Sequence, residues 1–75
     1  MNDKNKGKVK VFFWDAEGGG HSVILSEETD FLLENYARKL KIRTISVLRE
    51  VLGLFGQITE SNVITLIQTQ SVRPN

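Results

Sequence analysis

Apolar residues recur every three or four positions in two stretches of this chain, and each stretch predicts an amphipathic helix. In residues 27–41 the apolar stripe consists of Leu33, Tyr36, Ala37 and Leu40. In residues 44–56 it consists of Leu48, Val51, Leu52 and Phe55. Side chains with this spacing lie on one face of a helix. The pattern therefore predicts two helices joined by a short turn.

Alternating residues predict two strands before the first helix. Residues 8–14 place three apolar side chains on one face: Val9, Val11 and Phe13. Residues 21–26 place Val23 and Leu25 on one face and serines on the other. The loop at 15–20 holds three consecutive glycines, which no regular element tolerates well. Turn chemistry favours a hairpin between the two strands, and the alternative is a hinge that frees the first strand to pair elsewhere.

The helix boundaries carry their own signals. Ser26 precedes the first helix, where its hydroxyl can accept a hydrogen bond from a free amide of the first turn. The two glutamates that follow it suit the positive end of the helix dipole. We expect Thr44 or Ser46 to cap the second helix, and we expect that helix to end at Gly56.

Beyond the second helix, β-branched residues are crowded together, which favours a strand. We expect this third strand over residues 62–69; its β-branched members include Val63, Ile64, Thr65 and Ile67. Residues 1–7 are polar and aperiodic, so they predict a flexible basic arm, and residues 71–75 predict a tail. Residues 8–70 then form one small domain. The expected fold class is α+β, with a strand-helix-helix core, an extra N-terminal strand and a C-terminal strand.

Composition limits how so short a chain can be stabilised. The chain has 75 residues and no cysteine, so neither a disulfide nor a cysteine-held zinc ion can reinforce its small core. Apolar types make up 40% of the residues, too many for a disordered chain, and we expect a homodimer to bury the surplus. No apolar run reaches the roughly 18 residues of a membrane span. We therefore expect a cytoplasmic protein that does not enter the membrane.

His21 is the only histidine, and it follows a loop that contains Asp15 and Glu17. Two carboxylates and one imidazole form a conceivable acid/base or metal-binding set. Nothing else supplies a nucleophile or a third firm ligand at a fixed spacing, and flexible glycines hold such geometry poorly. The glycines also lack the Gly-Lys-Ser/Thr ending of a phosphate loop. We expect no enzymatic activity, no metal and no cofactor.

Basic side chains gather where the two predicted helices meet. They are Arg38, Lys39, Lys41 and Arg43. A helix N-terminus offers unpaired amides to a phosphate oxygen, and flanking cations and hydroxyls are typical of a clamp on a nucleic-acid backbone. The alternative is a solvated charged turn. The residues expected to bind phosphate are Lys41, Arg43, Thr44 and Ser46, and those of the basic arm are Lys4, Lys6, Lys8 and Lys10.

Two motifs lie within the strand, the first helix and the second helix. The first is Val23-Ile24-Leu25-Ser26-Glu27-Glu28, and the second is Arg49-Glu50-Val51-Leu52. The first resembles the Val-x-Leu strand and Pro/Ser/Asp-Glu-Glu helix start of the ribbon-helix-helix repressors of bacteria, plasmids, phages and archaea. The second resembles the Arg-Glu-(small apolar)-Leu run that is common in the same family. The resemblance covers about half of the chain.

This resemblance implies an intertwined homodimer that binds double-stranded DNA. Two copies of strand 21–26 would pair and enter the major groove. Val23 and Leu25 would face the helices, and the backbone amides of residues 43–46 would bind phosphate. The residues that would face the bases are Ser22, Ile24 and Ser26. The implied function is sequence-specific DNA binding, as a transcriptional repressor, a plasmid partition or copy-control factor, or an antitoxin.

A second interpretation is a protein-interaction module of similar dimeric fold. A sheet edge at residues 8–14 or 62–69 would add a strand from a protein partner. Its anchors would be Phe12, Trp14 and Ile24, because exposed aromatic residues dominate such contacts. Whether strand 8–14 pairs with strand 21–26 matters to both interpretations, since that hairpin would widen the ribbon of a dimer to four strands.

Overall fold

The computed structural model describes residues 7–71, which form two strands followed by three helices. The strands are β1 (Lys8–Trp14) and β2 (Gly20–Ser26), and the helices are α1 (Glu27–Leu40), α2 (Thr44–Phe55) and α3 (Glu60–Ser71). The chain is a small α+β fold with a strand-helix-helix arrangement, as the sequence predicts. The first four elements begin and end within one residue of their predicted bounds.

β1 and β2 form an antiparallel hairpin along their whole length. The inner face of the hairpin pairs Val9 with Leu25, Val11 with Val23 and Phe13 with His21. The connecting loop closes with a 2.8 Å hydrogen bond from the N–H of Asp15 to the carbonyl of Gly19. The hairpin interpretation of the glycine loop is therefore confirmed, and the hinge alternative is wrong.

α1 begins and ends with recognisable caps. The Ser26 hydroxyl accepts the N–H of Thr29 at 3.1 Å, which confirms the predicted N-cap. The C-cap of α1 is Lys41, whose backbone is left-handed with φ of 62°. The Lys41 N–H donates to the carbonyls of Ala37 and Arg38, which satisfies groups that the last turn would otherwise leave unpaired.

α2 differs from the expectation at its start and agrees with it at its end. Arg43 is the N-cap, with an extended backbone and no side-chain hydrogen bond to the helix. The expectation that Thr44 or Ser46 caps this helix is therefore wrong. Gly56 adopts φ of 77° and donates its N–H to the Leu52 carbonyl at 2.8 Å, so the predicted stop is confirmed.

The prediction of a strand over residues 62–69 is wrong, because this segment lies within α3. The hydroxyl of Thr59 accepts the N–H of Asn62 at 3.1 Å, as a helix N-cap does. The buried residues of α3 follow a helical spacing: Val63, Leu66 and Ile67. Packing of that stripe against α1, α2 and β2 outweighs the strand preference of β-branched residues, which is a weak term.

A single apolar core joins the inner face of the hairpin to all three helices. Its fully buried members include Leu25, Leu33, Leu48, Val47, Val51 and Val63. Several apolar side chains of the first two helices stay exposed instead: Phe31, Leu32, Leu40, Leu54 and Phe55. Two of these end the predicted stripes, so each stripe extends beyond the surface that the core covers.

The predicted basic arm divides between described and undescribed residues. Lys4 and Lys6 lie outside the described residues, as does the predicted tail beyond residue 71. Lys8 and Lys10 belong to β1, within the strand predicted over residues 8–14. The carbonyl of Gly7 accepts the N–H of Glu27 at 2.8 Å, which ties the start of the hairpin to the start of α1. Among residues 7–71, no helix is long and apolar enough to cross a membrane.

Candidate nucleic-acid interface

The face of the hairpin that points away from the core carries basic, aromatic and small side chains. We call it the outer face. Its four cross-strand pairs are Lys8 with Ser26, Lys10 with Ile24, Phe12 with Ser22 and Trp14 with Gly20. None of these eight residues is acidic. The outer face is therefore a two-stranded surface with positive charge and exposed apolar area.

Three large apolar side chains on the outer face are open to solvent. Phe12 is 69% exposed, Trp14 is 66% exposed and Ile24 is 55% exposed. The ammonium group of Lys10 lies 5.1 Å from the centre of the Phe12 ring, within the range of a cation–π contact. Apolar side chains grouped on one exposed face are typical of a binding surface, whereas a single exposed residue is ordinary.

The indole ring of Trp14 lies against the backbone of its cross-strand partner, Gly20. A Cβ atom built on Gly20 would come within 2.9 Å of Cζ3 of Trp14, closer than real contacts allow. An aromatic ring over a strand glycine covers backbone that has no side chain of its own. Because Gly20 has no Cβ atom, the indole ring can pack directly against the strand backbone.

The side chains of β2 divide between a buried face and an exposed face as the sequence predicts, with the exception of Ser26. Val23 and Leu25 are buried against the helices, and Ser22 and Ile24 are exposed on the outer face. Ser26 is engaged elsewhere. Its hydroxyl accepts the N–H of Thr29 and contacts the Thr29 hydroxyl at 3.1 Å, so the predicted base-facing role of Ser26 conflicts with its role as the cap of α1.

Glu60 is a structural residue that the sequence reasoning missed. Its carboxylate accepts the backbone N–H of Ser26 at 2.9 Å, which joins the start of α3 to the start of α1. This N–H holds the pKa of Glu60 below its usual range, with further help from the hydroxyls of Thr29 and Ser26. The available signal was the Thr59-Glu60 start of α3, which the strand assignment obscured.

The predicted phosphate-binding residues come together in one turn between α1 and α2. We call Lys41, Arg43, Thr44 and Ser46 the basic corner. Lys41, Arg43 and Ser46 are exposed, and Thr44 is partly exposed. The N–H of Ser46 donates to the Arg43 carbonyl at 3.0 Å. Within residues 7–71, the amides of Thr44 and Ile45 form no such bond, so they remain available at the positive end of α2.

The positive charge of the basic corner is not neutralised locally. No acidic residue occurs between Asn35 and Arg49 in the sequence. Across the part of the chain that the structure describes, the one ion pair joins His21 to Asp15, in the hairpin. Within residues 7–71, no carboxylate pairs with Lys41 or Arg43.

His21 and Asp15 stabilise the hairpin loop. Nε2 of His21 lies 2.7 Å from a carboxylate oxygen of Asp15, and the imidazole stacks on Phe13. Asp15 also accepts the amides of Glu17 and Gly19. The hydrogen bond with His21, followed by the one from Gly19, holds the pKa of Asp15 below its usual range. In residues 7–71, no three His, Cys, Asp or Glu side chains converge as metal ligands would.

Comparison of the chain with protein-family models, with curated proteins and with solved structures finds no match. The resemblance to ribbon-helix-helix repressors therefore depends on the residues of this chain alone.

Proposed function

We propose that this chain is a DNA-binding protein without enzymatic activity, of the kind that serves as a transcriptional repressor, a plasmid partition or copy-control factor, or an antitoxin. The observation that carries the proposal is the outer face of the hairpin, which has two lysines and no carboxylate. A two-stranded ribbon is also a width that the major groove of DNA admits. A cytoplasmic location belongs to the same proposal.

The two surfaces have different roles in this proposal. The basic corner contacts phosphate oxygens through Lys41, Arg43 and the free amides at the start of α2, which supplies affinity and orientation. The outer face contacts the groove, where Ser22 can hydrogen-bond a base edge and Ile24 can contact a thymine methyl. Affinity therefore depends mainly on salt-sensitive contacts, and base selectivity is modest.

The hairpin changes how a ribbon-helix-helix dimer can be arranged. β1 occupies one edge of β2, so a second copy of β2 could pair only at the other edge. The resulting four strands would span about 14 Å between the outer backbones. The major groove is about 12 Å wide. We propose instead that one hairpin enters each groove, and that a homodimer presents two hairpins to successive turns of the DNA.

Exposed apolar surface on the helices supports the homodimer. Phe31 on α1 and Leu54 on α2 are each 64% exposed. Burying such side chains against a second copy would be favourable by roughly 1.5–3 kcal/mol for each one. Both side chains lie on helices and neither belongs to the outer face, so a dimer formed through them would leave the hairpin open to DNA.

The test is binding of a fluorescently labelled DNA duplex of mixed sequence, followed by anisotropy over a range of salt concentrations. The proposal predicts binding whose logarithm falls linearly with the logarithm of salt, because each phosphate contact releases counterions. Absence of binding at the lowest salt, for a protein shown to be folded by circular dichroism, would rule the proposal out.

A protein-interaction module remains the second candidate because Phe12 and Trp14 are so exposed. A partner strand could pair along the open edge of β1 and place its side chains against these rings. Residues 62–69 offer no sheet edge, since that segment is helical. Binding to a protein partner with little salt dependence, together with no binding to DNA, would favour this candidate.

A further inference from the structure

We infer that the outer face of the hairpin selects DNA with unpaired bases, which stack on Phe12 and Trp14, over fully paired duplex. This inference rests on the proposed DNA-binding function and specifies the form of DNA that the same surface prefers. Its starting observation is that the two most exposed aromatic rings of the chain lie on one strand, on one face and two residues apart.

The spacing of the rings suits neighbouring bases of a single strand. Residues two apart in an antiparallel strand are separated by about 7 Å and point to the same side. Aromatic side chains arranged in this way can each receive one base, whatever its identity, because every base has a π-face. Bases within an intact duplex stack on each other and offer only their edges to the groove. The rings therefore gain stacking energy from unpaired bases and little from paired ones.

The cross-strand partners of the two rings leave most of each ring exposed. Phe12 lies opposite Ser22, and Trp14 lies opposite Gly20, so each aromatic ring faces a small residue. On the inner face of the same hairpin, Val11 and Val23 are instead paired with each other; Val23 belongs to the core and Val11 packs against it. Neither partner has a large side chain that could cover the outward side of the ring, so that side stays open to a flat ligand.

Local contacts restrain the orientation of both rings in the absence of a ligand. The indole ring of Trp14 rests on Gly20, and the ammonium group of Lys10 lies beside the Phe12 ring. Less conformational freedom is then lost when a base stacks, which strengthens binding. Lys10 can also meet the phosphate that follows a stacked base.

Charge favours a polyanion over a second copy of this chain as the occupant of the outer face. Two copies packed face to face would bring four lysines together, Lys8 and Lys10 from each, without a carboxylate on either face. Like charges in such proximity are unfavourable. A single strand of nucleic acid brings both the π-faces and the negative charges that this surface lacks.

The experiment compares three labelled DNAs of the same sequence: a fully paired duplex, a duplex with a short unpaired internal stretch, and a single strand. We expect the full-length protein to bind the two DNAs with unpaired bases about tenfold more tightly than the duplex, or more. Phe12→Leu and Trp14→Leu should each reduce that preference several-fold, because each weakens binding to the two DNAs with unpaired bases more than binding to the duplex. Ile24→Ala is the matched control, because it removes an exposed apolar side chain of the same face that has no π-face.

Each result decides a separate question. Equal affinity for the three DNAs would overturn the preference for unpaired bases and leave the proposed DNA-binding function intact. Loss of the preference in Ile24→Ala as much as in Phe12→Leu would also overturn it, since general apolar contact would then be the cause. No binding to any DNA would reject the proposed function itself. Conversion of a dimer to a monomer by Phe12→Leu, measured by sedimentation without DNA, would assign the outer face to a second copy.

Discussion

Nε of Arg49 donates a 2.7 Å hydrogen bond to the carbonyl oxygen of Trp14, although the two residues lie 35 positions apart in the sequence. The bond joins the end of β1 to α2. Arg49 lies five residues after Thr44, so the start of α2 is about 7.5 Å away along the helix axis. The contact therefore helps to fix the basic corner relative to the hairpin, which a clamp with two surfaces requires.

Arg49→Ala should lower the free energy of unfolding by about 1 kcal/mol, because the Trp14 carbonyl loses a charged donor, and the exposed position of the bond limits the loss. Urea denaturation followed by circular dichroism measures the change. Arg38→Ala is the matched control, since its side chain makes only a 3.5 Å contact with Asn35, and it should change stability by less than about 0.5 kcal/mol. Equal effects of the two substitutions would show that the Arg49 contact contributes nothing specific.

Glu60 should make stability depend on pH in the acidic range. Its pKa in the folded chain is lowered, chiefly by the N–H of Ser26. A carboxyl group with a lowered folded pKa stabilises the fold above its unfolded pKa of about 4.3, and this contribution is lost as the pH falls through the folded value. Glu60→Gln should therefore show a smaller loss of stability than the wild type between neutral and strongly acidic pH.

Urea midpoints at several pH values, from neutral to about pH 3, measure that difference. Glu17→Gln is the control, because Glu17 is exposed in the hairpin loop and contributes only its backbone amide to the contacts there. It should keep the pH dependence of the wild type. If Glu60→Gln and the wild type lose the same amount of stability on acidification, the Ser26 contact is not the source of the effect.

Lys41 combines an unfavourable backbone conformation with a useful charge. At φ of 62° a residue with a Cβ atom is strained, whereas glycine is not. Lys41→Gly should therefore raise the free energy of unfolding by about 1 kcal/mol. Lys39→Gly, two residues earlier and inside α1, should lower it by about 1 kcal/mol. Urea denaturation gives both values, and the same sign for both would contradict the left-handed assignment.

The sequence predicts the hairpin and the first two helices because their signals are local. Alternation in β2 decides which side chains reach the core, and Ser26 and Gly56 mark helix ends through their own chemistry. The contact between Ser26 and Glu60 could not be predicted, since it spans 34 positions and needs α3 in place first. The β-branched composition of α3 predicts a strand, whereas its buried residues Val63, Leu66 and Ile67 follow a helical spacing, and packing of that stripe decides the structure.

The candidate site was predicted only in part, because some of its features are local in sequence and others depend on pairing between the two strands. The outer face follows from alternation, so exposure of Ser22 and Ile24 was predictable. The pairing of Phe12 with Ser22 and Trp14 with Gly20 depends on the register of the hairpin, and the loop sequence did not specify it. The sequence therefore predicts which side chains of β2 point away from the core, and the structure shows which side chains of β1 lie beside them.

The helical assignment of α3 gives a direct stability test. In a helix Leu66 is buried and Thr65 is exposed, whereas a strand would place Thr65 on the same face as Val63 and Ile67. Leu66→Ala should lower the free energy of unfolding by about 2–5 kcal/mol. Thr65→Ala should change it by less than about 0.5 kcal/mol. Comparable losses in the two variants, measured by urea denaturation, would contradict the helix.

The basic corner makes a prediction about salt dependence. Replacing Lys41 and Arg43 together by glutamine removes two cations beside the free amides of α2 and keeps a polar side chain at each position. The slope of the logarithm of DNA affinity against the logarithm of salt should become shallower by about 0.9 for each lost phosphate contact. Affinity should fall uniformly across DNA sequences, because phosphate contacts carry no sequence information.

The control removes the same charge from the neighbouring turn of α1, with Arg38 and Lys39 both changed to glutamine. These two side chains are exposed, and they precede the turn that leads to the start of α2. If the basic corner acts only through general positive charge, the salt dependence of DNA affinity should become shallower by the same amount in both double variants. In that case the position of the two lost cations would not matter. A shallower salt dependence confined to the Lys41 and Arg43 double variant would mean that specific phosphates bind at the start of α2. A clamp requires such contacts, and a solvated charged turn does not provide them.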